Sequence, residues 1–319
     1  MQVTLPQVQA TLPEVQSPPI RAAATVVLLR DTPAGPQTFL VRRHGQSGFM
    51  AGATVFPGGK LDAADSLART AGLSPAECAA RLNLTDPDLA WRIHVAAIRE
   101  LHEEAHVLLA RTADGKLADG QTVALLDAEL VNARQGHQLP ADLWHQAAEK
   151  LQLTLALDLL SPFAHWLTPR AEPRRFDTWF FAAQQPDGQE AQLDLHEASD
   201  AFWRTPAEAL LEHDTGGAIL LPPPTLHTML RMATLRTDAL TLARELARTG
   251  VGACVEPHFA METPEGPAIL LPEDPEHPEH ALWESSPEIV TKSRFLLKDG
   301  RFGLVRETGG AAPGVKAFV

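Results

Sequence analysis

At 319 residues, 45% of them hydrophobic and 21% charged, the chain has a globular composition and enough length for one sizeable core or two. A net charge of −13 argues against the basic face that nucleic-acid binding needs, while still allowing local arginines to attract a small phosphate ligand. No apolar run reaches the length of a membrane span, and two cysteines, Cys78 and Cys254, cannot build a disulfide framework.

The first residues lack the basic-then-apolar pattern of a signal peptide, and Ala317-Phe318-Val319 is not a Ser-Lys-Leu-type address. The expected setting is therefore the cytoplasm, with both thiols reduced and buried and with no nucleic-acid or membrane partner. Residues 1–20 carry four prolines and several glutamines, the composition of a flexible arm. The near-continuous apolar run from Ala22 to Arg30 predicts a buried strand, residues 31–36 a turn, and Thr38 to Arg43 the returning strand of a hairpin. Arg43 is thereby delivered beside Phe56-Pro57-Gly58-Gly59, where it can touch a phosphate oxygen or simply face water. Thr54-Val55-Phe56 reads as a short strand before that turn.

Ser74-Pro75-Ala76-Glu77 has the pattern of a capping box and predicts a short helix through Leu82. Asp86-Pro87 predicts the start of a longer one, with Asp at the N-cap and Pro at the first helical position. No further Gly or Pro interrupts the chain as far as Ala110, and Ile93, Ala97, Leu101 and Leu108 recur at helical spacing. On this helix Glu100, Glu103 and Glu104 share one face. Three like charges there repel one another, so they stand either as a solvated acidic face or as oxygen ligands for a hard divalent cation.

Gly59, Arg99, Glu100, Leu101, Glu103, Glu104 and Val107 resemble the signature of the Nudix hydrolases, G-x5-E-x7-R-E-U-x-E-E-x-G-U, with U an apolar residue. Three positions depart from it. The first acidic position is Asp65, Arg99 follows it by 34 residues where the family has eight, and the late glycine is His106. An insertion at about residues 66–86 within the box is similar to the branch that contains the mammalian peroxisomal acyl-CoA diphosphatase. The resemblance implies an α/β/α sandwich, with a mixed sheet between helices, over residues 21–235, followed by a C-terminal extension over residues 236–319. It implies a Mg²⁺ or Mn²⁺ ion held by the Gly59 carbonyl and by Glu100, Glu103 and Glu104, which polarises phosphoryl oxygens and activates water. Arg99 would orient a glutamate with Asp65 as its partner, and a late acidic residue, Glu197, is a further candidate for the catalytic set.

The same residues contain His102-Glu103-Glu104-Ala105-His106, the H-E-x-x-H pattern of zinc peptidases, with Glu129 as the obvious downstream third ligand. Farther along, residues 111–160 have a mostly helical pattern, with Leu143, Ala147 and Leu151 as a core stripe and Trp144 lying off it, placed to cap a groove. Trp166-Leu167-Thr168-Pro169 and Arg174-Arg175-Phe176-Asp177-Thr178-Trp179-Phe180-Phe181 are similar to the same diphosphatase branch. Arg170, Arg174 and Arg175 beside an aromatic strand suit a ligand bearing phosphates and a ring, or are charges guarding an edge strand. Residues 192–203 hold a strand, Pro206 starts a helix, and helices are predicted from Leu226 to Arg248. The resemblance implies hydrolysis of a nucleoside diphosphate linked to another moiety, with CoA or acyl-CoA ahead of ADP-ribose or NADH. A zinc peptidase and a weakly catalytic Nudix-fold binding module are the other classes the sequence allows.

Overall fold

The computed structural model describes residues 19–44, 52–134, 142–192, 198–235, 237–280 and 289–309. The proline-rich arm, up to residue 18, and Glu197 lie outside them. The apolar run forms β1 (Ile20–Arg30), which turns back into β2 (Gln37–Arg43), with Leu29 opposite Thr38. Two short strands follow, β3 (Thr54–Val55) on β2 and β4 (Gly58–Lys60) on β1, so the Gly-Gly turn is itself sheet.

The insertion folds as β5 (Thr70–Ala71) and α1 (Pro75–Leu82), and α1 starts at the predicted capping box between Ser74 and Glu77. The long helix is α2 (Pro87–Ala105), capped by the Asp86 side chain, which accepts from the N–H groups of Asp88 and Leu89. It stops five residues short of the predicted Ala110. His106 takes φ 52°, and Val107, Leu108 and Leu109 run on, fully buried, towards β6 (Ala110–Arg111). Those three apolar side chains are buried on the way to a strand, which a helix, whose successive residues point around its axis, could not do.

The stretch after β6 is only partly helical: α3 (Gly120–Arg134), α4 (Leu143–Lys150) and then β7 (Thr154–Ala156). A small sheet of order β5-β7-β6 ties the insertion to this stretch. β8 (Ser161–Leu167) and β9 (Arg175–Gln184) form a second hairpin, and β9 pairs in parallel with β1 over ten residues. β9 is therefore an inner strand, and the edge-strand reading of its arginines is dropped. β10 (Ala198–Arg204) completes a mixed sheet of order β10-β2-β1-β9-β8 with β3 and β4 attached. Next come α5 (Pro206–Asp214), α6 (Pro223–Ala233) and α7 (Ala239–Ala247), then an antiparallel sheet of β11 (His258–Ala260), β12 (Ala268–Leu270), β13 (Ile289–Lys298) and β14 (Arg301–Gly309).

The central sheet is covered on both faces, with the side chains of each strand alternating between them. Ala24, Val26 and Leu28 of β1, with Trp179 and Phe181 of β9, join α1 to α4 in one core. Val27 and Leu29, with Phe180 and Ala182, join α5 to α7 and the C-terminal sheet in the other. That second core crosses residue 235 without a break, since Leu242, Ala243 and Leu246 of α7 are buried in it beside Met229 and Leu230 of α6.

Candidate active site

The site is built outward from Arg99. Ile93, Ala97 and Leu101 bury one side of α2, and each is fully inaccessible. That anchorage fixes the rotation of the helix and points Arg99 at the turn region before the insertion. Its guanidinium uses all three nitrogens. Nε and Nη2 donate to the two oxygens of Asp65 at 2.8 and 3.1 Å, Nη2 donates to the Lys60 carbonyl at 3.0 Å, and Nη1 donates to Glu100 at 2.9 Å and Glu103 at 2.8 Å. One planar fork thus ties β4 and the turn after it to two helical carboxylates.

Asp65 is fully buried and also accepts from the Asp62 backbone N–H. Burial works to raise its pKa, but hydrogen bonds from His145 and Arg99 outweigh that and hold the carboxyl below its ordinary range. His145, on α4, is 3.2 Å from the same carboxylate. Nothing in the sequence pattern marks His145; its sequence distance from Asp65 is closed only by packing. With Arg99, it holds in place an aspartate one methylene shorter than the glutamate of the family.

The Gly-Gly turn meets Glu104 and Glu100. The Gly58 N–H donates to Glu104 at 2.9 Å. A Cβ added at Gly59 would lie 2.5 Å from a Glu100 carboxylate oxygen, and one at Gly58 would lie 2.4 Å from the Ala24 carbonyl oxygen of β1. Both glycines are therefore needed for close approach, Gly59 to the carboxylate and Gly58 to the paired strand. Glu100 is 8% exposed, while Glu103 and Glu104 are half-buried. The donor set, carboxylates and a backbone carbonyl with no sulfur or imidazole, is that of a hard divalent cation, and the space at Gly59 that a Cβ would fill keeps the carboxylate and the backbone together.

The H-E-x-x-H pair serves another purpose. His102 is buried, with Nδ1 accepting from Trp144 Nε1 at 3.1 Å and Nε2 facing Asp127 at 3.2 Å, and His106 Nδ1 lies 3.1 Å from the other oxygen of Asp127. Burial tends to raise the Asp127 pKa, yet these two imidazoles hold it below the usual carboxylate range. Trp144 is accordingly buried in the core and does not cap a groove. Glu129 pairs with Lys150 and takes no place beside the histidines. Among the described residues, the group of three metal-type donors with atoms within 4.8 Å of one another is His165, Asp177 and Cys254, and it includes no member of the zinc pattern.

The arginines separate into two groups. Arg170 is exposed and pairs with Glu256 and Glu279, buried Arg175 pairs with Glu256 and the Thr168 carbonyl, and Arg174 is exposed in the β8–β9 turn. None of the three lines the large cavity beside the box. Arg43 does. That cavity, about 400 Å³, opens on Gly58 and Gly59 and is walled by β1, β8, β9, residues 222–225 and the C-terminal sheet.

Residues 76–232 match the family profile described as the NUDT19 Nudix domain. The human (Homo sapiens) acyl-coenzyme A diphosphatase NUDT19 is 29% identical over 327 residues, covering 91% of this chain and 83% of the relative. The protein of the same description from Gallus gallus is 26% identical over 328 residues, covering 88% and 85%. A NUDIX hydrolase of known structure from Alicyclobacillus acidocaldarius superposes with a TM-score of 0.56 at 26% identity, covering 74% of this chain and 98% of that one.

The chain belongs to the Nudix hydrolases.

As a Nudix hydrolase it acts on diphosphate bonds, and enzymes of this family generally need a divalent metal. The α/β architecture expected from the box is the one observed. The departure at His106 also has a structural account. The late glycine of the family falls here on the residue that ends α2 in the left-handed conformation, which glycine adopts freely and other residues adopt at a cost of about 1 kcal/mol. In that position His106 faces the Asp127 carboxylate at 3.1 Å.

Proposed function

We propose that this Nudix hydrolase cleaves the diphosphate of CoA or an acyl-CoA, with Mg²⁺ or Mn²⁺ as cofactor. Water adds across the P–O–P anhydride, giving 3′,5′-ADP and 4′-phosphopantetheine or its acylated form. The observation that carries the reading is the length of the similarity, since 91% of the chain aligns with an acyl-CoA diphosphatase, well beyond the box itself.

A cation held by Gly59, Glu100, Glu103 and Glu104 would supply Lewis acidity towards the phosphoryl oxygens. The chain's own residues do the rest. Arg99 holds Glu100 and Glu103 in one orientation, so their negative charge is in place before substrate arrives. The Gly58 N–H fixes Glu104 in the same way. Arg43, at the rim of the cavity beside the Gly-Gly turn, is placed to meet a diphosphate oxygen. The base that takes the proton from water belongs to the set Glu100, Glu103, Glu104 and Glu197. The same reading has the enzyme working in the cytoplasm, where Cys78 and Cys254 stay reduced.

The test is identification of products after incubation with CoA, an acyl-CoA, ADP-ribose, NADH and a diadenosine polyphosphate, each with Mg²⁺ and with Mn²⁺. Release of 3′,5′-ADP from the CoA compounds at the highest kcat/KM is the expected result. Faster cleavage of ADP-ribose or NADH than of any CoA compound would move the substrate to the dinucleotide class.

A further inference from the structure

The large cavity beside the box has a definite chemical character. Among the described residues that line it, Arg43 and Glu172 are the charged side chains, and both sit among aromatic rings and prolines. Trp166 comes from β8 and Phe176 and Phe180 from β9, and Pro222, Pro223 and Pro224 also line it. Its volume suits a small-molecule ligand, and its floor is Thr25, Gly58 and Gly59, so whatever is attached to a diphosphate at the carboxylates reaches straight into it.

We propose that this cavity takes the pantetheine–thioester arm of the substrate, that the phosphoadenosine half stays outside it, and that the C-terminal sheet is the wall that selects the acyl group. The proposal rests on the CoA reading above. The two halves of CoA differ in what they need from a pocket. The phosphoadenosine carries a 3′-phosphate as well as its share of the diphosphate, and burying a phosphate among apolar walls without a partner costs far more than the ring gains by stacking. Arg43 lies beside the Gly-Gly turn, where the diphosphate itself would claim it, and no other described lysine or arginine lines the cavity for the 3′-phosphate. The arm, by contrast, is uncharged. It has a methylated, branched carbon chain, two amides and a thioester, and the hydroxyls of Thr25 and Thr178 in the lining match the amides.

The C-terminal sheet contributes Phe259, Ile269 and Phe302 to the lining, from β11, from β12 and from β14. These residues lie beyond residue 250, far in sequence from the box. Their side chains limit how much of an acyl chain can follow the thioester. The sheet after α7 therefore acts in substrate selection, and its residues are specificity determinants without any part in the chemistry.

Trp166 lines the cavity and supplies a binding signal independent of turnover. Fluorescence titration of the full chain with 4′-phosphopantetheine and, separately, with 3′,5′-ADP should show a saturable change with the first that is absent in Trp166→Phe, and none with the second. In parallel, kcat/KM is measured for free CoA and for a series of acyl-CoA chain lengths. Ile269→Trp, which adds bulk to the wall contributed by the C-terminal sheet, should lower kcat/KM for the longer chains by about tenfold while free CoA changes little, the size expected when a few methylenes lose their place. Phe259→Ala, a gentler change on a half-buried residue, should extend the accepted chain length. A Trp166 signal from 3′,5′-ADP and none from 4′-phosphopantetheine would overturn the proposal. So would equal effects of both variants on CoA, acyl-CoA and ADP-ribose. Either result, with CoA still cleaved, leaves the diphosphatase reading standing; failure to cleave any CoA compound removes both.

Discussion

The two faces of the central sheet are organised by different kinds of information. On the face covered by α1 to α4, the chemistry-bearing residues lie within one helix and one turn, Gly58 to Glu104, and their arrangement follows from helical spacing, an N-cap and two glycines. On the face covered by α5 to α7 and the C-terminal sheet, the cavity is assembled from β1, β8, β9, residues 222–225 and strands beyond residue 250, and no local pattern announces it. The carboxylate site and the cavity are thus built over different sequence distances. The first is local and readable; the second depends on which strands end up adjacent.

Changes on the box face should be severe. The strongest effect is expected at Asp65→Asn, which removes one of the three carboxylates paired with a buried arginine; breaking one partner of a buried pair costs about 3–5 kcal/mol, read as a loss of unfolding free energy in urea. Asn keeps the shape, so a loss below about 1 kcal/mol would mean that Glu100, Glu103 and the Lys60 carbonyl suffice to hold Arg99.

A pH effect from the same face comes next. His94 is fully buried on α2, and burial pushes its pKa down to about 4. The unfolded chain binds the proton with a pKa of about 6.5, so below that pH it takes up more protons than the folded chain. Stability is therefore fully present above about pH 6.5, falls as the pH drops, and levels off near pH 4, by on the order of 3 kcal/mol. Melting temperatures of wild type and His94→Gln across that window check it, since the variant should lose this part of the slope.

Glu103→Gln and Glu104→Gln should each lower kcat by at least about 10², which is about 2.7 kcal/mol in the barrier, with the melting temperature nearly unchanged. Near-wild-type turnover in either would dissolve the contrast between the two faces. The glycines sharpen it. Gly59→Ala displaces the flexible end of Glu100 and should cost activity more than stability, whereas Gly58→Ala meets the β1 backbone and should cost stability first. Circular dichroism melts beside kcat separate the two.

The smallest effect is expected from His102→Ala combined with His106→Ala. Both imidazoles serve Asp127, so the variant should keep most of its turnover, and purified wild type should contain no stoichiometric zinc by metal analysis.

Much of the box face was legible because its determinants are short-range. Asp86-Pro87 predicts where α2 starts, and the spacing of Arg99, Glu100, Glu103 and Glu104 predicts a shared face, since both follow from backbone geometry over a few residues. The end of α2 was misjudged because no Gly or Pro marks it; the burial of Val107, Leu108 and Leu109 decides it. The ion pairs of Arg170 and Arg175 are not legible in the sequence, because their partners, Glu256 and Glu279, lie 81 to 109 residues away. The burial of Trp144 is not legible either, because its partner His102 is 42 residues away.

The sequence by itself determined the helix that carries the glutamates and the turn they meet, because amphipathic period, capping chemistry and carboxylate spacing act through neighbouring residues, and through its resemblance to the Nudix signature it implied the reaction class and the α/β layering. Only the tertiary structure decided that Asp65 is supported by His145, that the histidines of the H-E-x-x-H pattern turn to Asp127, and that the strands beyond residue 250 wall a cavity opening on Gly58 and Gly59. Those contacts join elements tens to hundreds of residues apart, and burial and packing, which no local pattern encodes, select them.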